Sequence, residues 1–170
     1  MERKPVMDTV FHELPPVFDK ESRILVLGTI PSPKSREQGF YYGHPRNRFW
    51  KMMALVFEEP MPETVEERRT MALRNHVAIW DVLASCTIRG AEDASIRDVV
   101  PNDIRLILSQ ADIRAVFTTG AKAAALYRKY CEPVCSMPCI SLPSTSPANC
   151  RMKDEELLQY YRQLRQYTEP

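Results

Sequence analysis

The sequence predicts an α/β fold: a three-layer α/β/α sandwich with a mainly parallel four-stranded central sheet. Four short runs are apolar and rich in β-branched residues almost without interruption, which is typical of strands buried on both faces. Segments with helical periodicity separate these runs, and strands that alternate with helices form parallel sheets. Because 170 residues suffice for one such unit, we expect a single domain over residues 1–170.

The predicted strands and helices alternate along the chain. The strands are residues 23–28, 77–82, 115–120 and 138–143, and the helices are residues 48–57, 64–74, 102–110, 121–130 and 153–167. The first of these helices has apolar side chains in the i, i+3, i+4, i+7 pattern from Phe49 to Val56, which predicts one buried face. Asn102 is expected to cap the third helix.

The carboxyl ends of the strands are the expected binding edge, because ligands of parallel sheets bind there, where the strand order reverses. The first strand leads into the loop 28–35, whose backbone we expect to be bent and accessible to a base or sugar. This loop lacks G-x-x-x-x-G-K and G-x-G-x-x-G, which excludes a Walker loop and a dinucleotide fingerprint. Asp81 ends the second strand. The hydroxyl-rich loop 142–149, Leu-Pro-Ser-Thr-Ser-Pro-Ala-Asn, follows the fourth strand and suits contact with phosphate or insertion into a duplex.

An aromatic segment, residues 39–50, follows the first of these loops and reads Gly-Phe-Tyr-Tyr-Gly-His-Pro-Arg-Asn-Arg-Phe-Trp. Aromatic faces stack on bases, guanidinium groups meet phosphates, and a carboxamide can hold a water molecule. The segment therefore suits a pocket that takes in a nucleobase. The alternative is an aromatic-rich loop that leads into a core helix.

The charge of the chain identifies no partner, since the formal net charge is +1. Local placement matters more for binding to phosphates than the total. Basic side chains gather around the aromatic segment, namely Lys34, Arg36, Arg46, Arg48 and Lys51. This clustering is compatible with a DNA-binding surface and equally with an ordinary solvent-exposed surface.

The cysteines and the apolar runs exclude several classes of protein. Five cysteines without a secretory signal in the first residues argue against a disulfide framework. Cys131, Cys135 and Cys139 stand four apart, which is neither a zinc nor an iron–sulfur spacing, so we expect free thiols, no metal and no cofactor. No apolar run reaches the roughly 20 residues that span a bilayer. We expect a cytoplasmic monomer with no membrane partner.

Taken together, these segments resemble the uracil-DNA glycosylase superfamily, and within it most of all the DNA-deoxyinosine (hypoxanthine-DNA) glycosylase family. The resemblance covers residues 23–165 and rests on three motifs: Tyr-Tyr-x-His-Pro-x-Asn-x-Phe-Trp at 41–50, Trp-Asp-Val at 80–82, and Leu-Pro-Ser-Thr-Ser-Pro at 142–147. Mismatch-specific uracil-DNA glycosylases carry their catalytic asparagine in the first turn, where this chain has Ile30. In the deoxyinosine family the working asparagine belongs to His-Pro-x-Asn, which is Asn47 here.

The resemblance implies a monofunctional glycosylase that hydrolyses the N-glycosidic bond of a deaminated base, above all hypoxanthine, in single- or double-stranded DNA during base excision repair. Asn47 is expected to position the water, or to cap the helix that starts beside it. The expected base pocket consists of Gly28, Thr29, Ile30, Pro31, Tyr42, His44 and Asp81. The expected DNA contacts and wedge are Ser144, Thr145, Ser146, Arg46 and Lys122.

Individual roles follow from residue types. Tyr42 is expected to stack on the expelled base, and His44 to support its loop. Asp81 is expected to anchor the pocket loops by accepting backbone hydrogen bonds. Two departures from the family, Ser32-Pro33 for a glycine and Thr119-Gly120 for Asn-Gly, bear on which base is preferred.

Three alternatives stay open at this point. The enzyme could prefer uracil or a mismatch, since pocket shape decides between purines and pyrimidines. A non-catalytic nucleic-acid-binding member of the fold would fit the loss of the asparagine at Ile30, although Asn47 argues against it. A small-molecule nucleosidase would need neither the Ser-Thr-Ser loop nor the basic rim.

Overall fold

The computed structural model describes residues 7–169 and has a four-stranded parallel sheet with flanking helices, which confirms the predicted fold class. The strands are β1 (Met7–Phe11), β2 (Ile24–Gly28), β3 (Val77–Asp81), β4 (Leu83–Arg89), β5 (Glu92–Pro101), β6 (Ala115–Thr119) and β7 (Cys139–Leu142). The helices are α1 (Pro33–Gln38), α2 (Phe49–Val56), α3 (Val65–Arg74), α4 (Arg105–Leu108), α5 (Ala121–Leu126), α6 (Glu132–Cys135), α7 (Asp154–Tyr161) and α8 (Gln163–Thr168). The parallel sheet has the order β3-β2-β6-β7.

The four parallel strands begin and end within one residue of their predicted limits. Every residue of β2 and β3 is buried, because helices cover the sheet and leave no face for polar side chains. Continuous apolar runs are therefore the form in which such strands appear in a sequence. The helix α2 adds its own buried face, with Phe49, Trp50 and Met53 in the core.

The sheet order places a crevice beside β2. The chain leaves β2 for β3 on one side and later returns to β6 on the other side. Loops that leave β2 and β6 therefore diverge, and this is where parallel sheets bind ligands. Gly28 pairs in register with Asp81, and Thr119 ends the neighbouring strand β6, so the three residues meet at this edge.

A second sheet escaped the sequence prediction. It is antiparallel and three-stranded, with the order β1-β4-β5, and its strands are partly exposed and interrupted by register shifts. Such strands show neither a long apolar run nor strict alternation, so the periodicity that revealed the parallel strands is absent. Gly90 turns the β4–β5 hairpin with a φ of +59°.

The helix α1 was also missed, since residues 28–35 were expected to be loop. Ser32 caps it by accepting a hydrogen bond from the Ser35 N–H (3.2 Å), Pro33 occupies its first turn, and Gly39 ends it with a φ of +74°. A serine, a proline and a distal glycine are ordinary helix-boundary signals. Six helical residues were too few to produce a visible apolar period.

The predicted Asn102 cap is wrong. The Asn102 amide instead donates to the carbonyl oxygens of Asp81 (2.9 Å) and Leu83 (3.1 Å), and so braces the step from β3 to β4. The helix α4 begins only at Arg105. The predicted helix 121–130 ends as α-helix at Leu126 and continues as one π-helical turn, just before Pro133, whose missing N–H prevents a regular continuation.

Among residues 7–169 no helix combines the length and apolar character needed to cross a membrane. Residues 1–6, part of the region in which a secretory signal was sought, lie outside the described residues.

Candidate active site

An open cleft of about 1000 Å³ lies at the carboxyl ends of β2, β3 and β6. Its walls are the turn after β2, the aromatic segment and the loop after β7. Eleven of the predicted site residues line it, namely Gly28, Thr29, Ile30, Pro31, Tyr42, His44, Asn47, Asp81, Ser144, Thr145 and Ser146. Segments that are far apart in the chain therefore meet in one place, as the sheet-edge argument predicted.

Asp81 forms the floor of the cleft with Gly28. One carboxylate oxygen, Oδ2, accepts a hydrogen bond from Nε2 of His12 (2.8 Å), and the two side chains are 6% and 2% exposed. This differs from the expected role, because Asp81 binds a side chain and not the backbone of the pocket loops. The other oxygen, Oδ1, lies so near Gly28 that a Cβ at that residue would be 2.6 Å from it.

Tyr42 stands in the cleft with one ring face covered. Its ring stacks on Phe49 with the centroids 3.9 Å apart, and its hydroxyl pairs with that of Thr119 (3.0 Å). Burial, and next the Asp81 charge, raise the pKa of Tyr42 well above its ordinary value, so the phenol is neutral. The backbone has a φ of +54°, a left-handed conformation that non-glycine residues adopt at a cost. Such strain, held in place by packing, is common at functional sites.

The other aromatic side chains of the segment belong to the core. Phe40, Tyr41, Phe49 and Trp50 are buried, and the Trp50 indole N–H donates to the Tyr41 carbonyl oxygen (3.0 Å). For these four the core-helix alternative was correct, and they hold Tyr42 at the cleft.

Asn47 lies in the wall of the cleft, one residue before Arg48, the N-cap residue of α2. Its amide oxygen accepts a hydrogen bond from the Phe49 N–H (2.9 Å), the first N–H of the helix, so Asn47 caps α2 from one position further out than the alternative role expected. An amide oxygen has a second lone pair, and the NH₂ group has no protein acceptor within hydrogen-bond distance among residues 7–169. Capping fixes the orientation of the Asn47 side chain and leaves the second lone pair of its oxygen and its NH₂ group free to bind a ligand or a water molecule.

His44 shapes the turn before Asn47. Its carbonyl oxygen accepts from the Asn47 N–H (2.9 Å), and its ring Nδ1 accepts from the Arg46 N–H (3.1 Å). Because Nδ1 accepts, a neutral ring carries its proton on Nε2. His44 therefore supports the loop, as expected, and also offers a donor to the cleft that it lines.

The hydroxyl-rich loop is more inward-facing than predicted. Thr145 is 1% exposed, and this burial argues against the phosphate contact expected of it. The hydroxyls of Ser144 and Ser146 accept backbone N–H groups two residues ahead, at 3.1 and 3.3 Å. Ser144 and Ser146 line the cleft as Thr145 does but are only partly buried, so of these three serine and threonine candidates the two serines remain available for a DNA contact.

Arg48 ties this loop to the aromatic segment. Its guanidinium donates to the carbonyl oxygens of Met152 (2.6 Å) and Asn149 (2.8 Å) and to Asp154 (3.2 Å). The side chain therefore braces the cleft wall and is already satisfied by protein groups.

We predict that Arg48→Ala lowers the free energy of unfolding by about 1–3 kcal/mol, the cost of leaving such acceptors without a charged donor. Urea unfolding followed by fluorescence measures it. Arg48→Lys should recover only part of the loss, since an ammonium lacks the planar fork that reaches two carbonyls. An unchanged midpoint in Arg48→Ala would contradict the bracing role.

Charge around the cleft is mixed. Arg46 is exposed but does not line the cleft, and Lys34 and Arg36 of α1 do line it. The β4–β5 hairpin adds Glu92 and Asp93 to the rim. Lys122 also lies outside the lining, although its charge acts on Asp93 of the hairpin. A backbone phosphate is therefore favoured on the α1 side and disfavoured at the hairpin.

The cysteines form no ligand set. Among residues 7–169 no group of three or more His, Cys, Asp or Glu side chains could hold a metal ion. Cys135 Sγ lies 3.3 Å from the Tyr127 hydroxyl, and burial raises the pKa of Cys131 to about 12. Cys150, by contrast, is exposed.

We predict that a disulfide reagent at pH 8 titrates one thiol quickly in the native protein, that of Cys150, because Cys150 is exposed, Cys86 and Cys131 are buried, and Cys135 and Cys139 are only partly accessible. The Cys150→Ser variant should lose the fast phase only. A fast phase of two or more thiols would contradict this description.

Sequence reasoning missed His12 and the β4–β5 hairpin, whose residues 90–93 form part of the cleft. His12 is a lone histidine between Phe11 and Glu13, and only the pairing of β1 with β4 brings it to Asp81. No sequence pattern signals a contact across 69 positions.

Comparison with known proteins gives consistent results. A family model described as the uracil DNA glycosylase superfamily matches residues 15–165. A solution NMR structure of a candidate uracil DNA glycosylase from Methanosarcina acetivorans superposes with a TM-score of 0.80 at 26% identity, covering 93% of this chain and 98% of that one.

Two curated relatives carry the name hypoxanthine DNA glycosylase. The protein from Methanosarcina barkeri is 33% identical over 111 residues, 64% of this chain and 70% of the relative. The protein from Methanosarcina acetivorans is 30% identical over 142 residues, 81% of this chain and 87% of the relative.

Proposed function

Because this chain belongs to the uracil DNA glycosylase superfamily and is a DNA glycosylase, we propose that it removes hypoxanthine from DNA by hydrolysing the N-glycosidic bond. The observation that carries the proposal is the joint placement of Asn47 and Tyr42 in one cleft at the switch point of the sheet. The names of the two curated relatives support hypoxanthine as the base.

The cleft suits an expelled base. A damaged base must leave the stack before its glycosidic bond is accessible, at a cost of about a few kcal/mol. Phe49 covers one face of Tyr42, so the opposite face is the one that a base can stack on. Ile30, which replaces the first-turn asparagine of the mismatch-specific branch, contributes an apolar wall.

Asn47 positions the attacking water in this mechanism. The bond from C1′ to the base nitrogen breaks and its electron pair moves to the base. The water oxygen bonds to C1′, and the proton that the water loses passes through solvent to the departing base, so the products are a neutral free base and an abasic sugar. An amide is not a base at neutral pH, so Asn47 acts by orienting the water through its free lone pair and NH₂ group. The Phe49 N–H fixes that orientation.

The departing base becomes negative, and hydrogen-bond donors at the cleft stabilise it. His44 Nε2–H is one such donor, because Nδ1 accepts from the Arg46 N–H. Hydrolysis should stop at the abasic site. Lys34, the lysine that lines the cleft, is half exposed and its Nζ lies 3.5 Å from Glu37, so it lacks the desolvated pocket that activates a Schiff-base lysine.

An excision assay tests the proposal. Duplexes that contain hypoxanthine, uracil, xanthine or an undamaged base at one position are incubated with the protein and then treated with alkali to cleave abasic sites. We expect product from the hypoxanthine duplex first, no strand break before alkali, and no effect of a chelator.

The outcomes of this assay test the reaction, the preferred base and the monofunctional mechanism separately. No product from any duplex would refute the glycosylase mechanism and favour a non-catalytic role. Faster release of uracil would keep the mechanism and change the substrate. Strand cleavage without alkali would contradict the monofunctional mechanism.

A further inference from the structure

One serine of α1 holds the first part of the aromatic segment. This part, residues 39–43, follows α1 directly, and we call it the aromatic turn. The carbonyl oxygen of Ser35 accepts hydrogen bonds from the N–H groups of Gly39 (2.8 Å) and Phe40 (3.2 Å). The hydroxyl oxygen of Ser35 accepts a third hydrogen bond, from the N–H of Gly43 (2.9 Å). In the part of the chain that the structure describes, the backbone N–H groups of the turn bond to no other protein acceptor, so the turn folds around this one residue.

The Ser35 hydroxyl lies in a tightly packed place. Ser35 is 2% exposed, and its own N–H donates to the Ser32 hydroxyl that caps α1. Gly43 comes so close that a Cβ there would lie 3.3 Å from the Ser35 Cα and 2.6 Å from Oε1 of Gln38. A buried N–H group that loses its acceptor is costly. The bond between the Gly43 N–H and the Ser35 hydroxyl is therefore one that the folded turn depends on.

This bond also fixes the backbone of Tyr42. The peptide group between Tyr42 and Gly43 is planar, so the direction of the Gly43 N–H determines the ψ angle of Tyr42. Tyr42 has a φ of +54°, a conformation that persists only where the surroundings enforce it. The Ser35 hydroxyl holds the backbone of Tyr42, and the stack on Phe49 holds its ring. Together the two contacts determine where the free face of the Tyr42 ring points.

We propose that Ser35 is a positioning residue for base excision: its hydroxyl orients Tyr42, and through Tyr42 the base that has left the stack. The inference rests on the proposed function, in which the base stacks on the free face of Tyr42. It adds a residue of α1, outside the aromatic segment, to the groups that determine how the base is held. The Asn47 side chain is fixed separately by the Phe49 N–H, so a change at Ser35 acts on the base and not on the water-positioning group.

Two alanine variants separate this role from a general effect on stability. Ser35→Ala removes the hydroxyl and keeps the carbonyl oxygen, so the other two hydrogen bonds of the turn remain. Ser22→Ala is the matched control. Ser22 is also buried, and its hydroxyl oxygen accepts a backbone N–H, that of Asp19 (3.1 Å), but it lies before the amino end of β2, away from the cleft.

Binding to uncleavable DNA isolates how the base is held from the chemical step. One probe is a duplex with 2′-fluoro-deoxyinosine, whose glycosidic bond resists hydrolysis, and the other is a duplex with a tetrahydrofuran abasic analogue. Dissociation constants are measured by fluorescence anisotropy, and circular dichroism verifies that each variant is folded. Amide hydrogen exchange of residues 39–43, followed by mass spectrometry, reports directly on the aromatic turn.

We expect Ser35→Ala to weaken binding of the hypoxanthine duplex by about 10-fold, a part of the roughly 5–150-fold that one base–aromatic stack contributes. Binding of the abasic duplex should stay at the wild-type value, because that duplex has no base to stack. Hydrogen exchange of the aromatic turn should be faster in Ser35→Ala. Ser22→Ala should change none of these quantities, even where it lowers the unfolding midpoint by a similar amount.

A double-mutant cycle tests whether the effect passes through Tyr42. Tyr42→Leu removes the aromatic face and keeps an apolar side chain against Phe49. In this background Ser35→Ala should cost the hypoxanthine duplex no further affinity, because residues that act through one another are not additive. The same loss in both backgrounds would overturn the proposal and would mean that Ser35, which also lines the cleft, contacts the base itself.

Two further results would overturn the proposal. One is wild-type affinity of Ser35→Ala for the hypoxanthine duplex, and the other is an equal loss for both duplexes, which would mean that the hydroxyl only maintains the fold. Failure of the proposed function has a different signature, since the wild type would then release no hypoxanthine from a cleavable duplex. Hydrogen exchange of residues 39–43 would still show whether the Ser35 hydroxyl holds the aromatic turn.

Discussion

Replacement of Asn47 by alanine is expected to lower the single-turnover rate of base excision by about 10²–10³-fold, the typical loss when one positioned polar group leaves an active site. The measurement is the rate of abasic-site formation in a hypoxanthine duplex with enzyme in excess. The same change removes the acceptor for the Phe49 N–H. It should therefore also lower the free energy of unfolding by about 1 kcal/mol, as loss of a helix cap does.

The Asn47→Ser variant separates the capping role of Asn47 from its role in catalysis. Serine caps helices about as well as asparagine, yet it lacks the NH₂ group and the length of the carboxamide. Asn47→Ser should regain the stability lost in Asn47→Ala and remain nearly as inactive. Recovery of both stability and activity in Asn47→Ser would mean that Asn47 serves only as a cap.

The parallel sheet that carries this site could be predicted because the burial of a strand determines the residue types of a short, continuous segment of the chain. Strands buried on both faces must be largely apolar, so β2, β3 and most of β6 are visible as runs in the chain, and the partly exposed edge strand β7 is visible as a shorter one. Parallel pairing then brings their carboxyl ends to one edge, and the polar residues that follow them to one cleft.

What escaped prediction depends on contacts between distant segments. The antiparallel sheet is half exposed, so polar residues are tolerated along β5 and hide its period. His12 reaches Asp81 only because β1 pairs with β4. Thr145 shows the converse case, since a hydroxyl-rich loop looks exposed in sequence and here turns one side chain fully inward.

Tyr42 and Asn47 illustrate why packing and function are not alternatives. The core aromatics hold Tyr42 in a left-handed backbone conformation that it would not adopt alone. The cap on α2 holds Asn47 in the wall of the cleft. In both cases, an interaction that stabilises the fold also fixes the orientation of the side chain. It therefore sets the direction in which the free polar groups of Asn47 and the free ring face of Tyr42 point.

The Gly28→Ala substitution is expected to distort the floor of the cleft and to lower both activity and stability. The new Cβ would lie 2.6 Å from Asp81 Oδ1, an approach that real Cβ atoms do not show, so that carboxylate must move. It would also lie 3.3 Å from the Tyr42 hydroxyl oxygen, a tight contact that displaces Tyr42 slightly. A displacement of about 1 Å in an active site can cost roughly 10²-fold in rate, and overpacking costs about 1–3 kcal/mol in stability. Excision rates and urea unfolding measure the two effects.

Two comparisons make this prediction specific to the clash. Gly39→Ala has open space around its Cβ but a φ of +74°, so it should lose stability of about 1 kcal/mol and keep activity. In the double variant Gly28→Ala/Asp81→Ala the clashing oxygen is gone, and the stability cost of the alanine at 28 should shrink. Strict additivity of the two stability changes would show that Gly28 and Asp81 do not compete for the same space, because only residues in contact deviate from it.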